Sequence, residues 1–349
     1  MNRETAHDFR MNEWTREEWI DLSNQFPAMN IYQSWDYAEL HSGGRNRSVI
    51  HAGLFDGQIP LALAQMRVKK LPILGVGVAE LEWGPLYRGT EELKAFLGAL
   101  KNEVNNRLGY ELRVHPKSTY HDEGDAFVRG ALEDLDFEWD SGERPYQTVI
   151  LDLGPDLEDL YGNLHGSWRR QHRKAERSGL VLVSGSAVEF FDRFSGVYDQ
   201  MWQSKQFITG VRHPIIREMV EKSSEKETFH ISIASLGERD VGASVGVQCG
   251  DSLLYFLGAS APDLRNDCQP GYLLHWNNVK HAKQAGLAWY DLGGIVDTGE
   301  GVNRFKRGMG ANDVVFPGCF VAGGKKMTSK IYHAVEDSYR GLRHRLMAR

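Results

Sequence analysis

Apolar residues recur along this chain with two periods, and the switches between them outline its elements. Alternating runs rich in β-branched and aromatic residues predict strands over 48–55 and 58–68, joined by an Asp56-Gly57 hairpin turn. Residues 72–78 are glycine-rich and read as a loop. A further strand is predicted over 80–87, with Gly84 and Pro85 breaking it or marking a sheet edge. Thr90 stands where a helix cap is needed, and Leu93, Phe96, Leu97, Leu100, Val104 and Leu108 then share one side of a helix. A short strand over 110–114 ends at His115-Pro116. Ahead of all this lie a polar lead, a short helix over 15–26 and a second helix opening at Tyr32-Gln33-Ser34-Trp35.

The second half repeats that order. Strands are predicted over 229–236, 241–248 and 253–257, and Gly237-Glu238-Arg239-Asp240 turns the first into the second. A helix opens at Pro270-Gly271, where the missing proline N–H costs nothing. Its Tyr272, Trp276, Val279 and the stem of Lys283 share one face, and Gly286 ends it. A strand over 288–292 leads to Gly293-Gly294, then to a loop and the cluster Gly301-Val302-Asn303-Arg304-Phe305-Lys306-Arg307-Gly308. Both halves thus read hairpin, strand, helix, strand, a repeat of pattern with slight sequence identity. The Ser-Gly-Glu-Arg-Pro turn cluster over 141–146 marks the boundary. A last helix over 329–346 places Ile331, Val335, Tyr339, Leu342 and Leu346 on one stripe; its basic residues suit a solvated face or peripheral membrane contact.

Composition removes several function classes. The 349 residues leave room for two domains. Lys and Arg number 41 against 47 Asp and Glu, a net charge of −6, so no global basic field would hold DNA stably. Cys249, Cys268 and Cys319 lack metal-ligand spacing and fit a reducing compartment. The opening MNRETAHDFRMNEW lacks the apolar core of a signal peptide, and no apolar run is long enough to span a bilayer. The expected location is cytoplasmic. The phosphate-binding loop, the dinucleotide fingerprint, the G-x-S-x-G elbow and histidines at metal spacing are all missing from the sequence.

Two basic clusters carry candidate chemistry. Arg169, Arg173 and Arg177 lie four apart on a predicted helix capped by Ser167, with Arg170 and Lys174 beside them. Such a stripe is either a solvated face or a contact for phosphates. Arg304, Lys306 and Arg307 bracket Phe305. A cation placed so can snorkel from a packed aromatic, or it can meet the oxyanion formed when an acyl group passes to an amine.

The motifs G-Y-L-L-x-W, A-K-x-x-G, Y-D-L-G-G-I and G-V-x-R-F-K-R-G, in that order, resemble the closing segment of FemABX-type proteins. Those are peptidoglycan bridge-forming aminoacyltransferases built from two GNAT-like (N-acetyltransferase fold) domains. The resemblance extends more loosely from about Tyr32 to Phe320. It implies a mixed α/β fold of two tandem GNAT-like domains, each a mostly antiparallel mixed sheet flanked by helices. The first would span 1–145 plus 318–349, completed by the C-terminal helix; the second, 146–317, would hold the donor and catalytic site. The compact, armless type is implied, because no stretch is long enough for the helical hairpin of larger members.

The resemblance further implies transfer of an aminoacyl group from aminoacyl-tRNA to an amine of a cell-wall peptide precursor or similar acceptor. No metal or organic cofactor is then required. Lys306 matches the lysine assigned to the oxyanion, and Phe305 and Tyr255 would wall the site, with Arg304 among the substrate contacts. The basic W-R-x-x-x-R-K-A helix matches a similar one in the family. His41 stands where the family usually has a phosphate-binding lysine, and His115 where it often has an aspartate base. Arg212 is the candidate for a second phosphate contact. Two alternatives remain at this point: an N-acyltransferase using a CoA thioester, and a non-catalytic peptide- or glycan-binding relative. The glycine signature that holds the CoA pyrophosphate in GNAT enzymes is missing from the segment 265–271, which argues against the first.

Overall fold

The computed structural model describes residues 7–44, 46–71, 76–120, 122–205, 213–264, 268–295 and 299–323. Arg212 and the predicted helix over 329–346 lie outside the described residues. The chain divides into two units, one drawn from 7–26, 32–145 and 316–323, the other from Pro27–Ile31 and Tyr146–Val315.

The first unit contains strands β1 (Asp8–Met11), β2 (Arg47–Asp56), β3 (Ile59–Leu71), β4 (Val76–Glu82), β5 (Leu86–Tyr87), β6 (Glu111–His115) and β7 (Glu138–Trp139). Its helices are α1 (Arg16–Ser23), α2 (Trp35–His41), α3 (Thr90–Lys101) and α4 (Asp122–Glu133). The second unit contains β8 (Gln147–Asp152), β9 (Leu180–Gly185), β10 (Thr228–Leu236), β11 (Arg239–Cys249), β12 (Ser252–Ser260), β13 (Trp289–Gly294) and β14 (Asn312–Val315). Its helices are α5 (Leu157–Asn163), α6 (Gly166–Glu176), α7 (Val188–Lys205), α8 (His213–Glu221), α9 (Pro270–Gln284) and α10 (Glu300–Arg307). A last strand, β15 (Phe320–Ala322), belongs to the first sheet.

Both sheets follow one plan. The first runs β1-β2-β3-β4-β6-β15-β7 with β5 on β3, and the second runs β14-β8-β13-β12-β11-β10-β9. Within them β2-β3-β4-α3-β6 and β10-β11-β12-α9-β13 are equivalent: an antiparallel hairpin, a third antiparallel strand, a helix, and a parallel fourth strand. A parallel partner needs a long crossover, which α3 and α9 provide. The apolar stripe of α3 becomes core: Leu93, Phe96, Leu97 and Leu100 are buried against Ala64, Met66 and Leu81. Each such large side chain contributes roughly 1.5–3 kcal/mol on burial. In the second unit Trp276, Val279 and Ala282 of α9 pack with Leu253, Tyr290 and Leu292.

The two sheets differ at the parallel pair. β4 and β6 stay paired from Val78 with Glu111 to Glu82 with His115. β12 and β13 pair only from Ser252 with Trp289 to Leu254 with Asp291. Just beyond, β12 carries a bulge, because Tyr255 faces Gly246 and Leu257 faces Val245, leaving Phe256 as the extra residue. A bulge re-aims side chains and ends regular pairing. The second sheet therefore opens between its middle strands.

Several local expectations are corrected. Gly89, not Thr90, is the N-cap of α3, and Thr90 is its first residue. His165, not Ser167, caps α6: its ring accepts from the Ser167 N–H, and Ser167 lies inside the helix. The strand expected over 80–87 is two pieces, β4 and β5, separated where Gly84-Pro85 forms a cis bond. The basic-aromatic cluster beyond the predicted loop forms a helix of its own, α10. Among the described residues no helix is long and apolar enough to cross a membrane.

Candidate active site

Lys306 sits in the last turn of α10, and its position follows from the glycines before it. Gly293 adopts φ +78°, a left-handed conformation that side chains disfavour, and a Cβ there would lie 2.9 Å from the Tyr255 carbonyl oxygen. The backbone at the open end of β13 can thus turn its carbonyls toward α10. Lys306 Nζ donates to Gly293 O at 2.9 Å and to Gly294 O at 2.7 Å. The side chain is only 7% exposed. Two of the three ammonium N–H donors are so used, and the third has no partner among the described residues. Burial lowers the Lys306 pKa to about 8, partly opposed by the Asp291 carboxylate.

Lys306 helps line a pocket of about 500 Å³ in the second unit, together with Tyr255, Tyr272, His275, Phe305 and the start of α9. Phe305 is held edge-on by Tyr272 at 4.8 Å and by His275 at 5.0 Å between ring centres. Tyr255 tilts over His275 at 4.3 Å, and burial raises its hydroxyl to about 12, so it stays a neutral donor or acceptor. Among the described residues no carboxylate lines the pocket. The arrangement can hold an acyl group between aromatic walls and meet negative charge on its oxygen.

Lys306, Phe305 and Tyr255 therefore come together. Arg304 lies on the exposed side of α10, and Arg307 pairs with Asp313 at 2.8 Å. The basic helix α6 abuts the same aromatic wall through Trp168, whose ring lies 4.9 Å from Tyr272 and 5.8 Å from Phe305. Arg173 and Arg177 are exposed on its far side, while Arg169 is half-buried and donates to the Gly162 carbonyl. His41 and His115 lie in the first unit. His41 ends α2, stacked on Tyr37 at 4.2 Å with Nδ1 against the Tyr37 carbonyl at 2.8 Å. His115 ends β6 with Nδ1 3.4 Å from a Glu143 oxygen.

His115, Glu143 and Cys319 place one potential ligand atom each within 4.8 Å of one another. Arg113 already bonds Glu143 at 2.8 Å and Asp140 at 2.6 Å, and burial pushes the Cys319 thiol well up. The group reads as an ion-pair network around Arg113 with a protonated thiol beside it.

His275, Asn278 and Tyr290 are not among the candidate site residues of the sequence, yet the fold joins them. Tyr290 Oη accepts from Asn278 Nδ2 at 3.0 Å and lies 2.7 Å from His275 Nδ1. Two polar residues on the buried face of α9 are the signal that was available. It was masked by the apolar stripe around them.

Residues 163–307 match the Acetyltransferase (GNAT) domain family. No curated protein matches the sequence. Among solved structures, that of FemX aligns over 89% of this chain and 96% of its own, with TM-score 0.76 and 15% identity. The C-terminal domain (DUF2156) of a putative lysylphosphatidylglycerol synthetase from Agrobacterium fabrum aligns over 92% and 97%, with TM-score 0.59 and 12% identity. A tandem GNAT protein from the clavulanic acid biosynthesis pathway aligns over 90% and 98%, with TM-score 0.52 and 13% identity. At these identities the likeness is one of fold. The chain shares the fold of the FemX structure, and its second unit carries the GNAT domain match.

Proposed function

We propose that this protein transfers an aminoacyl group from aminoacyl-tRNA to an amine of a cell-wall peptide precursor or a similar acceptor. One observation carries the reading: a buried ammonium, fixed by two carbonyls and with one N–H left over, lines a pocket at the opening of a GNAT sheet. The acceptor amine attacks the ester carbonyl, and a C–N bond forms as the carbonyl oxygen becomes an oxyanion. Lys306 meets that charge. The amine's proton passes to a base, which returns it to the departing alkoxide as collapse breaks the ester C–O bond. Arg304, on the same helix as Lys306, is a candidate substrate contact.

The choice of tRNA over CoA rests on two features. Pro270 opens α9 and lacks an N–H at the helix start where a pyrophosphate would be received. The exposed cations of α6 lie on a helix whose inner face packs behind the pocket's aromatic wall through Trp168. The GNAT domain match keeps an acyl-CoA donor as the second reading, and a direct CoA titration separates the two.

Reversing Arg169, Arg173 and Arg177 to Glu together is expected to weaken tRNA binding and flatten its salt dependence. Each lost phosphate contact removes roughly 0.7–0.9 from the slope of log K against log salt. Filter binding across a salt series measures this. An unchanged slope would return the helix to a solvated face and remove tRNA from the reading.

A further inference from the structure

We infer that His275 is a second hydrogen-bond donor to the acyl oxygen, presenting a neutral imidazole Nε2–H beside Lys306, and that Tyr290 and Asn278 hold it in that form. The inference rests on the proposed acyl transfer and adds a catalytic residue to it.

The assignment follows from counting donors. With the Asn278 amide oriented so that Nδ2 donates to Tyr290 Oη at 3.0 Å, the Tyr290 proton is left for its other neighbour. That neighbour is His275 Nδ1, at 2.7 Å. Nδ1 therefore accepts, and in a neutral ring the proton must sit on Nε2. Nε2 has no hydrogen-bond partner among the described residues. Its side chain lines the pocket, where no carboxylate among the described residues waits to receive the proton. An acyl donor brings a carbonyl oxygen that can accept it. Burial and the nearby Lys306 charge lower the His275 pKa to about 3, so the ring stays neutral wherever the protein works.

The geometry suits a donor that is set before the reaction. Tyr290 and His275 are both buried, and Tyr255 and Phe305 pack on the imidazole. A fixed N–H needs no reorganisation as charge develops, which is where such donors gain their effect. Tyr290 and Asn278 do not line the pocket and act as positioning residues.

The test has a spectroscopic and a kinetic arm. In ¹⁵N-labelled protein the His275 ring, assigned among 13 histidines by its loss in His275→Gln, is expected to show the pure Nε2–H tautomer, unchanged across neutral pH. Tyr290→Phe should mix the tautomers. In turnover assays His275→Phe should lower kcat by about 100-fold with little change in KM, the usual loss for one oxyanion donor. His275→Gln, which keeps an N–H, should recover part of that. An Nδ1–H tautomer or a charged ring in the parent protein would overturn the inference even if no variant could be purified. So would equal losses in His275→Phe and His275→Gln confined to KM, or full activity in His275→Phe. If the parent protein transfers no acyl group from any donor, the proposed function fails instead, and the tautomer result still decides whether the donor is set.

Discussion

Lys306→Met will lower turnover by roughly two to three orders of magnitude while leaving donor affinity close to that of the parent. One oxyanion donor is typically worth roughly that much, and its interaction strengthens only as charge develops. Methionine keeps the buried stem volume and removes the cost of burying an ammonium. The carbonyls of Gly293 and Gly294 lose their donor in exchange, so the net stability change should stay within about 2 kcal/mol. Rapid-quench turnover and equilibrium binding of an unreactive ester analogue separate the two effects. A variant with parental turnover, or one weakened only in binding, would make the lysine a clamp.

The pH profile carries the same claim with a definite sign. An oxyanion donor must be protonated, and burial places the Lys306 pKa at about 8. Turnover attributable to this group should hold below that value and fall as pH rises through it; a general base would give the reverse. Unfolding does not imitate the loss. Between about 8 and the ordinary 10.5, the unfolded chain binds this proton and the folded chain does not, so this group's contribution to stability rises with pH. Lys306→Arg should start lower, because a planar fork does not replace a compact ammonium between two carbonyls, and should keep its residual rate to higher pH.

Gly293→Ala will be the most damaging small substitution in the site. At φ +78° an alanine costs about 1–2 kcal/mol from backbone conformation alone. Its methyl would also lie 2.9 Å from the Tyr255 carbonyl, a backbone atom that cannot rotate away. Together these should remove about 2–4 kcal/mol of stability and shift the carbonyls that hold Lys306, so turnover falls in the surviving folded protein. Gly301→Ala, within α10 and with open space around its Cβ, serves as the stability control and should gain up to about 1 kcal/mol. Urea midpoints for both decide it. Equal midpoints would mean that the β13 turn is not strained against side chains.

Much of this site was legible because its constraints are local. Asp56-Gly57 fixes a hairpin, Pro270 starts a helix, and Gly293-Gly294 before a lysine announces a close backbone approach. What failed was either nonlocal or too short to show a period. α10 is too short and glycine-rich to show a helical period, yet it is a helix with Asn303 and Lys306 buried. The caps at Gly89 and His165 defeat a rule that prefers a nearby hydroxyl. His275 takes its meaning from Tyr290, 15 residues away across a helix-to-strand connection, and one chain alone does not reveal that pairing. β9, α7 and α8 lie in the segment around Arg212 for which no element is predicted, although Phe191, Phe194, Val197 and Tyr198 of α7 keep helical spacing and are buried.

The most direct test of acyl transfer at Lys306 is mass spectrometry of products from the parent protein and Lys306→Met. Each would be incubated with a panel of charged tRNAs and acyl-CoAs and with amine-bearing cell-wall peptides. The expected result is a new amide, formed from an aminoacyl-tRNA by the parent protein and reduced by roughly 100-fold or more in Lys306→Met. Product from acyl-CoA alone would contradict the donor assignment, and equal product from both proteins would contradict the role of Lys306.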